Sequence, residues 1–542
     1  MSSSQKTVFN SLLERISTKP KLTKRNLSKI SSSSHSSTRS NRSSSSVRKP
    51  IIPMSALIEP VMRVEETESM EEPQTNIRNL KMICADSNVC MAFGKQRKRI
   101  IQHFDNFNNF GLITGDIKMI GQPSANGFIR EIHYTKNGYN AYAILKSSRT
   151  ASADNLVYEY IVGQFINIQC PKFPCFLQTY GLYFYKNDES WKICSIKKNN
   201  VNATFLKDAI KKEKEKNIYN YAKMCTQSIK ASVLIEHIKN AKTISDIMTP
   251  KNITSIDHME VITDFICNDL LYVLYQIYMP LSQLQNNFTH YDLHDGNVML
   301  YEPVKGKYIE YHYHLADGTI VPFKSPYIAK IIDYGRCFFT YKPTIAVNSR
   351  IIYHKLCEED KCAIEAESNN GKLEMQPCGS EFGFEWMESK PLNKNVYFIN
   401  STLENVSHDL RFLYYVKTRI DNILTILHKH FKKTFSDYYN EVKPIILSQK
   451  QVVNILQYGV GLKGEAKAYG TQPNATRGYS SRNSFESNEI NNVSDAEEAI
   501  RTMIFNVDNQ KRNNDVYGDP ANKLGDMHIY SDGRPMEFIP VK

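Results

Sequence analysis

Eight consecutive residues, His290-Tyr291-Asp292-Leu293-His294-Asp295-Gly296-Asn297, constrain this chain more than any other feature. An Asp and an Asn stand five residues apart, and a second acid, Asp333, leaves the apolar run Ile328–Ile332 41 residues after Asp292. That set has the chemistry for phosphoryl transfer. One carboxylate orients a hydroxyl and takes its proton, while an amide oxygen and a second carboxylate hold the divalent cation that neutralises phosphate charge. Three fixed residues make a weak signal by themselves, so the flanking sequence has to decide.

The flanks agree with one another. Val273 to Leu284 reads as an apolar helix running into a turn at Gln285-Asn286-Asn287, Asn297–Leu300 as a short buried strand, and Ile328–Ile332 as another ending at Asp333. Upstream, Asn140–Lys146 alternates as a strand and carries a lysine, whose ammonium needs a partner if buried. Ser152-Ala153-Asp154-Asn155 offers helix caps, and Leu156, Val157, Tyr160, Ile161, Phe165 and Ile168 follow at helical spacing, with Glu159 among them. Gly121 and Gly127 punctuate a turn between two strands, Asn126-Gly127 being a hairpin signal in its own right. Ala231–Ile238 reads as a further strand. Ser407-His408-Asp409-Leu410 precedes a long helix with Leu413, Tyr414, Ile420, Ile423, Leu424 and Leu427 on its apolar positions.

These motifs, Ala-Tyr-Ala-Ile-Leu-Lys, Tyr-Asp-Leu-His-Asp-Gly-Asn-Val and Ile-Ile-Asp-Tyr-Gly-Arg, resemble the eukaryotic-like protein kinase superfamily, and within it the divergent Ser/Thr kinases encoded by giant DNA viruses. The resemblance spans about 120–430. It implies an α+β, two-lobed fold: a small antiparallel β-sheet lobe with one main helix, a larger mostly helical lobe, and long insertions. It implies ATP and Mg²⁺ as cofactors and transfer of the γ-phosphoryl group to a protein Ser/Thr hydroxyl. Asp292 would then be the catalytic acid–base. Asn297 and Asp333 would bind the metal, Lys146 would clamp the phosphates, and Glu159 would position Lys146. Gly121 and Gly127 would flank the phosphate-covering loop, and the backbone of Glu236 and Ile238 would meet the adenine edge. His290 would brace the loop and Asp409 would support it, both structurally.

Two departures bear on the substrate. His294 stands where Ser/Thr kinases carry a lysine, and Asp-Leu-His-x-Gly-Asn is also the look of small-molecule phosphotransferases such as aminoglycoside and choline kinases. No Ala-Pro-Glu closes an activation segment after Gly335. A small-molecule kinase and a pseudokinase acting as a nucleotide-binding module are therefore the alternatives.

Charge and composition set the rest. The net charge of +12 looks like a nucleic-acid signature until it is located. Residues 1–50 hold eleven Lys/Arg against Glu14, which is +10, so the remaining 492 residues carry +2. The excess belongs to a tail with 17 serines in those 50 residues, which buries too little apolar surface to fold. The tail is a candidate for autophosphorylation and for weak contact with nucleic acid, a contact not expected of the folded body. The expected organisation is a tail and acidic linker at 1–75, an N-lobe at 76–238 with a Lys-rich helical insertion at 186–230, a C-lobe at 239–460 with insertions at 301–327 and 338–405, and a C-terminal extension at 461–542. Within the extension, Ser494 starts a helix and His528–Ile539 reads as a hairpin. Eleven cysteines without regular spacing suggest a reducing, intracellular compartment. His354, Cys357, Cys362 and Cys378 have a spacing that can close a zinc site, though reduced thiols are the default. No apolar run approaches membrane-helix length.

Overall fold

The computed structural model of the chain describes residues 96–121, 127–149, 156–213, 230–249, 256–341, 347–349 and 492–541, with shorter stretches between 363 and 423. The first strands are β1 Lys118–Ile120, β2 Gly127–Lys136, β3 Tyr139–Ser148, β4 Thr179–Tyr185, β5 Ile210–Lys212, β6 Ala231–Glu236 and β7 Lys242–Thr243. Then come β8 Phe288–Thr289, β9 Val298–Tyr301, β10 Tyr308–His314, β11 Ile320–Ser325, β12 Ile328–Ile331, β13 Phe338–Tyr341 and β14 Val347–Asn348. Two small pairs, β15 Ala363–Glu367 with β16 Leu373–Pro377 and β17 Glu385–Met387 with β18 Phe398–Asn400, precede β19 Lys523–Tyr530 and β20 Glu537–Pro540. The architecture is mixed α+β, with sheets that are mostly antiparallel.

The largest sheet runs β1-β2-β3-β6-β4-β5. Its β2–β3 hairpin turns on Asn137-Gly138, whose φ values of 53° and 82° are those a two-residue hairpin turn demands. Alternation buries Phe128, Arg130, Ile132 and Tyr134 on one face of β2. Arg130 is fully buried, and its guanidinium donates to the carbonyls of Cys194 (2.8 Å), Ile117 (2.9 Å), Ile196 (3.0 Å) and Asn199 (3.2 Å). Four acceptors make that burial tolerable, and the side chain ties two segments, the one at Ile117 and the one over 194–199, to the sheet.

The helix Leu156–Gln169 is buried on nearly every side, and its polar residues Glu159, Gln164, Asn167 and Gln169 are buried with the apolar ones. It approaches β4 so closely at Gly163 that an added Cβ would lie 2.1 Å from Thr179 Oγ1. One turn on, the Asn167 amide donates to Thr179 O at 2.8 Å and accepts from Thr179 N at 2.9 Å. Helix and sheet are thereby fixed in register, and with them every side chain the helix presents.

The sheet is also clamped to the segment after β6. Glu131 of β2 accepts from His237 Nε2 at 2.9 Å and from Lys239 Nζ at 2.5 and 2.7 Å. The His237 hydrogen bond, and then the Lys239 pair, outweigh burial and hold this carboxyl at about 2, below its ordinary 4.5. A depressed folded-state value stabilises above the unfolded value, and that gain is lost as pH falls from about 4.5 through about 2. Wild type is therefore expected to lose about 3 kcal/mol more than Glu131→Gln between pH 5 and pH 2. Denaturant midpoints of the two proteins across that range provide the check.

A second body of structure is built around the apolar helix Leu270–Gln283. Gln276, fully buried within it, donates to Tyr327 O at 3.0 Å and accepts from Ala329 N at 2.9 Å, so the polar residue is satisfied and orders the start of β12. A four-stranded sheet, β11-β10-β19-β20, packs on this helix, with Tyr275 edge-on to Tyr313 at 5.0 Å and Tyr272 stacked on Phe323 at 5.1 Å. The alternation of Tyr308, Tyr311 and Tyr313 is thus that of a strand. The helix expected at Ser494 spans Val493–Ile504, and the hairpin expected over His528–Ile539 is β19–β20. The expected insertion and the expected C-terminal extension form one sheet, because β10 pairs in parallel with β19. On its outer face the ligand atoms of Glu310, His312 and Asp526 lie within 4.8 Å of one another. Lys523 Nζ sits 2.6 Å from Glu310 and 2.8 Å from Asp526, so the chain's own ammonium already balances these acids.

One expectation is corrected. Among the described residues of the Lys-rich stretch 186–230, helices span Asp188–Ser195 and Ala203–Ala209, the second including Lys207, but Lys211 and Lys212 belong to β5. Ile210 is buried there, and β5 completes the edge of β4 through Tyr183–Tyr185 while its lysines face solvent. The tail and linker at 1–75, Lys214, Lys216 and the group His354, Cys357, Cys362 and Cys378 lie outside the described residues. Among the described residues no helix is long and apolar enough to cross a membrane.

Candidate active site

Short β-pairs set out the loop His290–Asn297. It leaves β8, which pairs with β13, and enters β9, which pairs with β12. Asp409, buried at the foot of the next helical segment, receives the two amides that open the loop: His290 N at 2.7 Å and Tyr291 N at 3.0 Å. Tyr291 is held at φ 64° with its ring 4.7 Å from that of His408, so the buried aromatic fixes a left-handed turn that few side chains adopt. His290 is fully buried. Its Nδ1 accepts from Asp292 N at 3.3 Å and its Nε2 donates to Ile332 O at 2.9 Å, so the imidazole braces the loop against the end of β12.

Asn297 closes the loop on itself, donating from Nδ2 to Asp292 O at 2.8 Å, while its own carbonyl accepts from Ile332 N at 3.0 Å. That second bond puts the residue leading into Asp333 beside Asn297. Asp333 itself has φ 69°, which turns the chain sharply out of the strand.

From the large sheet, β3 delivers Lys146. Its Nζ lies 2.8 Å from Glu159 Oε2 and 2.8 Å from Asp333 Oδ1. One ammonium therefore joins the sheet, the helix Leu156–Gln169 and the turn after β12. Burial pushes the Asp333 carboxyl up, but the Lys146 charge and hydrogen bond prevail and hold it at about 2. At neutral pH the Asp333 carboxylate is therefore ionised beside the lysine.

Asp292 has two cationic neighbours: Arg336 Nη1 at 3.5 Å and Arg411 Nη1 at 4.0 Å. Neither was assigned a role from sequence, although Arg336 closes the quoted Ile-Ile-Asp-Tyr-Gly-Arg string. Its position one residue past a glycine turn is the signal that was there to be read. His294 is partly exposed. Its Nδ1 accepts from Gly296 N at 3.0 Å, leaving Nε2 as the protonated nitrogen. A Cβ at Gly296 would come within 2.9 Å of His294 Cε1, so a side chain there would displace the imidazole. Asp295 is held by Arg419 Nε at 2.7 Å; burial works against its ionisation, but His294 and Arg419 keep its carboxyl below the usual range.

The remaining expected positions are more peripheral. Gly121 has φ 69° and Gly127 opens β2, where an added Cβ would lie 2.4 Å from Ser147 O; residues 122–126 between them lie outside the described set. Glu236 commits its N–H to Gln178 O at 2.8 Å and its carboxylate to Arg97 at 2.6 Å, and Ile238 is buried just beyond it. The Arg97 pair anchors the helix Gln96–His103 behind the sheet.

In sum, Lys146, Glu159, Asp333, Asn297 and Asp292 form one connected set. Asn297 and Asp333 supply the hard oxygen donors that Mg²⁺ takes, and the amide group of Asn297, by donating from nitrogen to Asp292, is oriented so that its oxygen is the remaining donor. No family model and no curated protein matches this chain.

Proposed function

We propose that the protein is an ATP- and Mg²⁺-dependent phosphotransferase with a two-lobed, protein-kinase-like arrangement, acting on a Ser/Thr hydroxyl of a protein. The six-stranded sheet with its buried helix would be the small lobe, the assembly around Leu270–Gln283 the larger one, and the set from Lys146 to Asp292 would line the cleft between them. The observation that carries this reading is the ammonium of Lys146 held between Glu159 and Asp333, each at 2.8 Å, with Asn297 tied to Asp292 at 2.8 Å. A lysine restrained from two sides is preorganised to meet phosphate oxygens.

When bound, Mg²⁺ would neutralise charge on the phosphates, with Asn297 and Asp333 as its protein donors. Asp292 would orient the acceptor hydroxyl and take its proton as the oxygen bonds to the γ-phosphorus. The bond from that phosphorus to the β–γ bridging oxygen breaks, and its electron pair leaves on ADP. His294 brings one N–H and no fixed charge to the acceptor side.

The test is transfer of labelled γ-phosphate by the purified full-length chain with Mg²⁺, supplied with a generic protein and, separately, with small alcohols. Label on protein that disappears in Asp333→Ala is the expected result, and label within 31–46 would make the tail a substrate. Label on small alcohols alone would move the assignment to a small-molecule kinase. Nucleotide binding with no transfer to any acceptor would leave a binding module.

A further inference from the structure

We infer that Arg336 is a catalytic cation supplied in cis, whose guanidinium meets the γ-phosphoryl group as it passes from nucleotide to acceptor. The inference rests on the phosphotransferase reading above and adds a residue that this reading did not require.

The argument begins with charge. A γ-phosphoryl group lying between Asp292 and Asp333 would bring several negative charges beside two carboxylates, and Lys146 is already shared with Glu159 and Asp333. Arg336 lies on the same side as the acceptor acid, its Nη1 3.5 Å from Asp292 Oδ2, and its charge also acts on Asp333. The guanidinium thus lies against the acceptor acid, and its charge is felt at the second acid. Arg411 is the other cation near Asp292, but its side chain is 5% exposed against 21% for Arg336, and its Nη2 is turned to the Tyr415 hydroxyl. Arg336 is the one of the two that an incoming phosphate reaches.

Position supports the same assignment. The backbone around Arg336 is pinned from three elements. Its own carbonyl accepts from Ser401 Oγ at 2.7 Å, and the next carbonyl, that of Cys337, accepts from Tyr158 OH on the helix that carries Glu159. Two residues earlier, Tyr334 donates to Ile331 O at 2.8 Å and accepts from Leu177 N at 3.0 Å. A backbone so fixed keeps the Cα of Arg336 in place beside Asp292, and only the rotamers of its own side chain are left to order when substrate arrives. A planar guanidinium also suits two phosphate oxygens at once, a geometry His294 cannot offer. Without nucleotide Arg336 pairs with Asp292. With nucleotide it would exchange that contact for the γ-oxygens and leave Asp292 to the acceptor hydroxyl.

The test compares wild type, Arg336→Ala and Arg336→Lys in the full chain with Mg²⁺, reading three quantities. These are the affinity for ADP, the affinity for a non-hydrolysable ATP analogue, and kcat. Expected is an ADP affinity unchanged within about twofold, a preference for the analogue over ADP reduced about tenfold or more in the alanine variant, and a kcat lower by about 10²–10³. Arg336→Lys should lie between, and it carries the comparison if alanine disturbs the fold. Equal weakening of ADP and analogue, or a kcat within about threefold of wild type, would overturn the inference while leaving the phosphotransferase reading intact. Wild-type protein that binds neither nucleotide would sink that reading, and the inference with it.

Discussion

Asp292→Asn is expected to lower kcat by about 10²–10⁴ while nucleotide affinity stays within about twofold of wild type. The asymmetry follows from where the charge sits. The loop is held by the backbone carbonyl of residue 292, which accepts from Asn297, and by Asp409, and neither contact uses the side chain that changes. What is lost is the acid proposed to receive the hydroxyl proton. Stability should suffer little, by about 1 kcal/mol, because Arg336 still reaches solvent and Arg411 keeps Tyr415. Single-turnover transfer beside nucleotide titration separates the two effects. A parallel loss of binding and turnover would mean that Asp292 organises the site rather than acting in it.

The second large effect concerns a buried residue that holds the loop from behind. Asp409→Ala is expected to destabilise the fold by about 3 kcal/mol, because two buried amides, His290 N and Tyr291 N, lose their acceptors together. It should also reduce turnover. Tyr291 occupies φ 64° only while its surroundings impose it, and without the carboxylate the loop can relax toward an ordinary conformation. Asp409→Asn keeps one acceptor oxygen and should fall between. Denaturant midpoints measure the first effect, and hydrogen exchange over 288–297 measures the second. Unchanged exchange there would show that the aromatic contact with His408 suffices to hold the turn.

Much of the site was legible in the chain because its parts are local. Asn140–Lys146 alternates, Glu159 recurs on the apolar helix that follows, and Asp292 and Asn297 share one loop. A strand, a helix and a short loop each leave a periodic trace in their own sequence. What was not legible depends on partners distant in sequence. Lys211 and Lys212 look helical beside their lysine neighbours, and only the open edge of β4 makes them a strand. Arg97 carries no mark of its pairing with Glu236, 139 residues on. Arg336 and Arg411 gain their meaning from Asp292 only after two turns have brought them within 4.0 Å. The parallel pairing of β10 with β19 was hidden for the same reason: each strand alternates, but nothing in either names the other.

That last pairing has a consequence for how the protein is made. Tyr308 faces Lys523 in the register, so more than 200 residues must be synthesised between one strand and its neighbour. Until then β10 presents an open edge, with Tyr311 and Tyr313 denied the cover that Met527 and Ile529 later share. Closing so long a loop is slow compared with forming the local hairpin of β10 and β11. The nascent chain thus carries a half-built sheet until β19 has been made. A ribosome stalled shortly before residue 523 would leave a protein whose proposed catalytic residues have all been synthesised but whose supporting sheet has not.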